Sequence, residues 1–119
     1  MLNNSRLAAL NGYNSKVTIF IPATINVNKT IDNTSYVNAA ATLLSNSFGG
    51  ATSVKASGYW VSDSINSLVK EDTTLVYSNC TEEALDKNLD AILDFCENLK
   101  EELNQDCIGL EVNGSMYFV

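Results

Sequence analysis

Hydrophobic and polar residues alternate in several short stretches of the chain, which is the pattern of strands that bury one face. Val17, Ile19 and Ile21 share one face of the first such stretch, residues 16–24. Pro22 has no backbone N–H to donate, so the sheet ladder is expected to end or to reach an edge there. Three further core strands are predicted over residues 52–61, 68–78 and 107–112.

Between the first two strands the apolar residues fall three and four positions apart, which predicts an amphipathic helix. Asp32 or Asn33 is a suitable N-cap, because either side chain can accept a hydrogen bond from the first helical turn. The helix is expected to reach about Ser47. It should end at Gly49 and Gly50, where the chain can adopt a left-handed conformation.

A longer amphipathic helix is predicted to begin after Thr81, which would act as its N-cap, and to end near Asn104. Beyond the last core strand, Asn113 and Gly114 form a strong hairpin signal, because both residues tolerate positive φ. The apolar residues 115–119 are therefore expected to fold back and to pair within the sheet or across a subunit interface.

The order of these elements is strand, helix, strand, strand, helix, strand, strand. It predicts an α+β protein with a ferredoxin-like βαββαβ two-layer sandwich: an antiparallel sheet, two helices on one face, and an extra C-terminal hairpin strand. Residues 16–119 would form one domain, and residues 1–15 a flexible or docking arm. The second face of the sheet is left uncovered, so we expect a dimer or a higher homo-oligomer.

Composition narrows the range of partners. The 119 residues include 7 Lys and Arg against 14 Asp and Glu, a net charge of −7. Duplex nucleic acid is therefore an unfavourable partner, because cationic side chains are needed to displace counterions from phosphates. A small anionic ligand remains open, since backbone N–H groups and a few lysines can hold it. The acidity also fits mimicry of nucleic acid toward a basic partner, or simply solubility.

The chain carries no secretory signal, no run long enough to span a membrane and no paired CxxC cysteines. These features predict a cytoplasmic protein with reduced thiols. Cys80, Cys96 and Cys107 are each expected to act as small core residues.

Histidine is absent, which removes His-based triads, His metal ligands and His acid–base catalysis. No metal-ligand set and no cofactor motif is evident. Most carboxylates fall on the solvated face of the second helix. Glu71 and Asp72 stand out, because a carboxylate pair within a strand is unusual and can face a pocket, although an exposed or structural role is the favoured interpretation.

The segment from residue 47 to residue 60 has the most binding chemistry. Gly49 and Gly50 let the backbone approach a ligand, Thr52 offers a hydroxyl, Lys55 a cation and Trp60 a flat surface. Such a set can hold a base and a phosphate. The alternative is a helix end followed by an ordinary strand with a buried tryptophan.

Several motifs in and beyond this segment resemble a known family. They are Phe48-Gly-Gly-Ala-Thr52, Gly58-x-Trp60, Leu68-Val-x-Glu71 and Leu110-Glu-x-Asn-Gly-x-Met-Tyr-Phe-Val119. Over residues 17–119 the chain resembles the phage Thoeris anti-defence proteins of the first-described type. The resemblance implies a non-enzymatic sponge that binds cyclic ADP-ribose signals, and in some members cyclic oligonucleotides, without cleaving them. It also implies homo-oligomers with pockets at the subunit boundaries.

On this resemblance, Phe48 or Trp60 would stack on adenine, the glycine pair would donate N–H groups to phosphate, and Lys55 or Arg6 would neutralise charge. The candidate ligand-binding residues are Arg6, Phe48, Gly49, Gly50, Thr52, Lys55, Trp60 and Asn79. No catalytic residue is predicted.

Two other classes of function remain open at this point. One is an acidic inhibitor that binds a host defence protein through the charged face of the second helix. The other is an enzyme of the small dimeric α+β barrel type, which the lack of histidine and of a metal-binding cluster argues against.

Overall fold

The computed structural model describes residues 2–26 and 28–119. Its strands are β1 (Ser15–Pro22), β2 (Thr24–Ile25), β3 (Lys29–Thr30), β4 (Thr52–Ser62), β5 (Ser67–Cys80), β6 (Gly109–Val112) and β7 (Ser115–Phe118). Its helices are α1 (Ser5–Ala8), α2 (Thr34–Phe48) and α3 (Glu82–Glu102). A five-stranded antiparallel sheet is built in the order β4-β5-β1-β6-β7, and β2 pairs with β3 in a separate two-stranded sheet.

The sheet order confirms the predicted fold class. Strands β4, β5, β1 and β6 are the four strands of the split βαβ arrangement, in the order that a ferredoxin-like sandwich requires. Strand β7 adds a fifth strand beside β6, as the hairpin signal at Asn113 and Gly114 predicted. Both of these residues have positive φ, at 51° and 85°.

The core lies between the sheet and the two long helices. Val17, Ile19 and Ile21 point from β1 toward the helices and are fully buried. Leu44 of α2 and Ile92 of α3 are fully buried in the same cluster. One apolar stripe on each helix therefore covers one face of the sheet, as the periodicity predicted.

The helix ends follow from local chemistry. The Thr81 hydroxyl accepts a hydrogen bond from the backbone N–H of Ala84, which caps α3 as predicted. Gly49 has φ 89° and ends α2 in the left-handed conformation. At the start of α2, Asn33 occupies the N-cap position without a side-chain cap, and the Asp32 carboxylate instead accepts from the N–H of Thr34.

Two expectations need correction. No strand was predicted between the first strand and the first long helix, but the structure has the short β2–β3 pair there, whose two-residue strands are too brief to leave a periodic pattern. Cys107 is exposed rather than part of the core, because it lies in the turn between α3 and β6; Cys80 and Cys96 are buried as predicted. Helix α1 is one turn with no buried residue, and whether residues 1–15 are flexible remains a prediction.

The second face of the sheet has no helix over it and carries a set of apolar side chains. Because side chains alternate along a strand, this face carries Phe20, Val54, Leu75, Met116 and Phe118. Val54, Met116 and Phe118 are 47%, 42% and 71% exposed. No helix within residues 2–26 and 28–119 is both long and apolar enough to cross a membrane.

Candidate active site

The candidate site lies where strand β5 extends beyond the end of its neighbour β1. Strand β1 pairs with β5 only as far as Pro22 opposite Thr73, whereas β5 continues toward Ser67 and pairs there with β4 alone. Just beyond the end of β1, the N–H of Ala23 donates to the carbonyl of Asp72. Backbone groups alternate sides along a strand, so the N–H and C=O of Lys70 point toward the same free edge.

A cavity of about 820 Å³ lies between this free edge and the β2–β3 pair. Its wall includes Thr24 from β2, Trp60 from β4, Ile65 from the hairpin loop, and Glu71 and Asp72 from β5. Trp60 is 41% exposed, so it is not the ordinary buried tryptophan of the alternative interpretation. The cavity thus combines an aromatic and aliphatic wall with two carboxylates.

Glu71 is the most firmly positioned charged group in this cavity. The Thr24 hydroxyl donates a hydrogen bond of 2.5 Å to Glu71 Oε1. Gln105 Nε2 donates in turn to the Thr24 hydroxyl at 3.3 Å and to the Thr24 carbonyl at 3.0 Å. Thr24 itself is only 8% exposed, so the carboxylate is held from a buried anchor and is presented to the cavity.

The cysteines are poor candidates for the chemistry of this site. Burial, with a smaller effect from Glu97, raises the pKa of Cys96 to about 12. Burial also raises the pKa of Cys80. Both thiols therefore stay protonated and unreactive near neutral pH. Across the residues that the structure describes, no group of Cys, Asp or Glu side chains is placed to hold a metal ion.

The structure distributes the predicted ligand-binding residues over several places. Phe48, Gly49, Gly50, Thr52 and Asn79 come together and line a shallow cavity of about 550 Å³. That cavity lies at the opposite end of β5 from Glu71. The eight residue steps from Glu71 to Asn79 correspond to roughly 26 Å along the strand.

The other three predicted residues lie elsewhere. Trp60 lines the cavity of Glu71, Lys55 lines a smaller cavity beside it, and Arg6 is exposed on α1. No ligand contact tests any of these eight roles, so they remain predictions.

Sequence reasoning found part of the Glu71 site. The unusual carboxylate pair at Glu71 and Asp72 was its one visible signal, and the structure shows both residues facing a cavity. Thr24 and Gln105 were missed. They are separated from Glu71 by 47 residues in one case and by a whole helix in the other, and neither belongs to a recognisable motif.

The fold belongs to the class of small ferredoxin-like sandwiches, and two solved structures share it over nearly their whole length. A phage SAM (S-adenosylmethionine) lyase in complex with S-methyl-5'-thioadenosine matches with a TM-score of 0.64 and 16% identity, covering 92% of this chain and 92% of that one. The same kind of enzyme without ligand, a phage SAM lyase in the apo state, matches with a TM-score of 0.60 and 16% identity, covering 92% and 91%. No family model matches the chain, and no curated protein matches its sequence.

This finding corrects the two functional expectations. The chain was expected to be a non-enzymatic sponge for cyclic ADP-ribose signals or, alternatively, an acidic inhibitor of a host protein. The solved proteins that share its fold over nearly the whole length are instead lyases, which are enzymes. The argument against catalysis rested on the absence of histidine and of a metal-binding cluster, but carboxylates can also act as general acids or bases.

Proposed function

We propose that this chain is an enzyme that cleaves S-adenosylmethionine, breaking the bond between the sulfonium sulfur and the amino-acid chain and releasing S-methyl-5'-thioadenosine. The observation that carries the proposal is the anchored carboxylate of Glu71 in an aromatic-walled cavity. The fold that presents this cavity is shared with a phage SAM lyase that binds S-methyl-5'-thioadenosine.

Charge supports this choice of substrate. A sulfonium is a fixed cation. The charged side chains that line the cavity are Glu71, Asp72 and Lys70, which are two carboxylates against one ammonium, and the chain has a net charge of −7. An acidic site attracts such a cation and disfavours the anionic phosphates of nucleotides. The product thioether is neutral, so it loses this attraction and can leave the site.

The leaving group explains how the reaction proceeds without histidine. When the carbon–sulfur bond breaks, its electron pair goes to sulfur and turns the sulfonium into a neutral thioether. No general acid is required for this departure. The four-carbon fragment regains an electron pair in one of two ways, either by ring closure through its own carboxylate or by losing a proton from the adjacent carbon. In the second case Glu71 is placed to accept that proton.

The larger cavity has suitable surfaces for the adenosine part. Trp60 offers a flat face on which adenine can stack, since base–aromatic stacking is worth about 1–3 kcal/mol. The free backbone N–H and C=O of Lys70 can pair with the donor and acceptor edge of the base. Shape and main-chain contacts can therefore hold the nucleoside, and Glu71 lies beside it.

The proposed setting is that of a phage protein that acts in the cytoplasm of the host cell. S-adenosylmethionine is a methyl donor, so its destruction would deprive host methylation of substrate. The phage origin of the two structural neighbours supports this setting.

The test is a comparison of purified variants incubated with S-adenosylmethionine, followed by chromatography for S-methyl-5'-thioadenosine. Glu71→Gln keeps the shape of the side chain and removes its charge, and we expect it to lower kcat/KM by about 100-fold or more. Glu82→Gln, which removes one carboxylate from the exposed first turn of α3, is the matched control and should retain wild-type activity. Equal activity of the two variants would overturn the role of Glu71.

A further inference from the structure

A second, smaller cavity adjoins the candidate active site. It has a volume of about 400 Å³ and shares Ala23 and Asp72 with the larger cavity. Its remaining wall comes from the beginning of α2 and from Lys55 and Ser57 of β4. The two cavities therefore meet at Asp72, on the helix-covered side of the β4–β5 pair.

Hydrogen bonds fix the floor of this smaller cavity. Asn33 Nδ2 donates to the carbonyls of Ile21 and Pro22 at 3.2 and 3.3 Å. The Thr73 hydroxyl donates to the Ile21 carbonyl at 3.1 Å. The Asn33 bonds tie the start of α2 to the end of β1, and the Thr73 bond ties β5 to it, so the cavity has a defined shape before any ligand enters.

The cavity brings charges of both signs together on one face. In the β4–β5 register, Lys55 lies opposite Thr74 and Ser57 lies opposite Asp72, so Lys55 and Asp72 are diagonal neighbours. Diagonal neighbours on one face are about 7–8 Å apart, which long side chains can span. Both side chains are exposed to solvent and can approach a ligand.

A third charge in the wall is already engaged. The Asp32 carboxylate accepts hydrogen bonds from the hydroxyl and the backbone N–H of Thr34. These two bonds, together with a smaller attraction from Lys55, hold the pKa of Asp32 below its ordinary value. Asp32 therefore stays anionic. The wall of the smaller cavity then has two negative charges, Asp32 and Asp72, and one positive charge, Lys55. This balance disfavours a phosphate, which a cluster of cations would bind better.

One cation beside a carboxylate is what an α-amino acid zwitterion requires. We propose that the smaller cavity binds the amino-acid end of the substrate, with Lys55 holding its carboxylate and Asp72 its ammonium group. This inference rests on the proposed function, because it places the two ends of one molecule in the two adjoining cavities. Adenosine and the sulfonium then occupy the larger cavity beside Glu71, and the chain that leads to the amino-acid end passes Asp72, where the two cavities meet.

Two stable ligands separate the two cavities in a binding experiment. S-adenosylhomocysteine has both the adenosine and the amino-acid end, whereas S-methyl-5'-thioadenosine lacks the amino-acid end. We expect Lys55→Gln and Asp72→Asn each to weaken binding of S-adenosylhomocysteine about tenfold in calorimetric titration, as the loss of one charged hydrogen bond implies. Binding of S-methyl-5'-thioadenosine should stay within about twofold of wild type.

The controls are Lys87→Gln and Asp86→Asn on the exposed face of α3, which should change neither affinity. Circular dichroism checks that every variant is folded. Equal weakening of both ligands, or no change for either, would overturn the amino-acid site and leave the proposed function standing. If wild-type protein binds neither ligand, the proposed function fails and this inference fails with it.

Discussion

Glu71 shows how single residues from distant parts of the chain make one site. Its partner Thr24 comes from the short β2 strand, and Gln105 comes from the turn after α3. Nothing in the local sequence relates these three positions, because hydrogen bonds between side chains are fixed by tertiary packing and not by spacing. The sequence therefore revealed the carboxylate but not the residues that orient it.

The hydroxyl of Thr24 is expected to act as a positioning group for Glu71. Thr24→Val removes the donor while keeping the shape of the side chain, so Glu71 would lose its fixed orientation. We expect kcat to fall about tenfold with little change in KM, since the interaction acts on the reacting centre. Thr24→Ser, which restores a hydroxyl, should recover most of the activity in steady-state assays. Failure of the serine variant to recover activity would argue that Thr24 serves packing alone.

The thiols provide an independent check on burial at the residue scale. Cys107 is exposed, whereas Cys80 and Cys96 are buried and have raised pKa values. Iodoacetamide reacts with thiolates, so at pH near 8 the folded protein should be labelled at Cys107 first. Intact-mass measurement should show one label in native buffer and all three in denaturant. Rapid native labelling of Cys96 would contradict the packing of α3 against the sheet.

At the scale of elements, periodicity was sufficient for the long strands and for both long helices. Those segments each bury one face, and burial forces a repeat of two or about 3.6 on the sequence. The β2–β3 pair was not predicted, because its strands have two residues each and both residues of β3 are exposed. The sequence also could not decide whether Gly49 and Gly50 serve a ligand or a helix end.

The two glycines are predicted to differ in their effect on stability. Gly49 has φ 89°, where a side chain is strained, so Gly49→Ala should destabilise the protein by about 1–2 kcal/mol. Gly50 has no such φ, and no atom lies within 4 Å of an added Cβ, so Gly50→Ala should stay within about 0.5 kcal/mol of wild type. Urea unfolding measures both. Equal costs would mean that the turn after α2 is not built as described.

At the scale of the whole molecule, the sheet order follows from general rules of connection. A strand–helix–strand unit returns to the same sheet with one hand, and with two such units interleaved few orders remain. The rules also leave one face uncovered, and the structure shows exposed apolar side chains on this face, among them Val54, Met116 and Phe118. These rules do not say what covers that face, so the expected homo-oligomer remains a proposal.

Self-association through the open face is testable by light scattering coupled to gel filtration. Exposed apolar patches of this kind commonly mark interaction surfaces, so we expect a mass of at least twice the 12.9 kDa of one chain. Phe118→Glu, on the open face, should shift the protein toward the monomer. Leu10→Glu, at an exposed position outside the sheet, is the control. A wild-type monomer at all concentrations would rule out this interface.

The central claim is that the protein turns over S-adenosylmethionine, and proton NMR tests it most directly. Wild-type protein is mixed with about a hundredfold excess of S-adenosylmethionine, enough that binding alone leaves the spectrum of the ligand almost unchanged. We predict that the S-methyl signal of the sulfonium disappears, that the signal of S-methyl-5'-thioadenosine replaces it, and that the four-carbon fragment appears in equal amount. A spectrum that decays no faster than S-adenosylmethionine alone would contradict the proposed function.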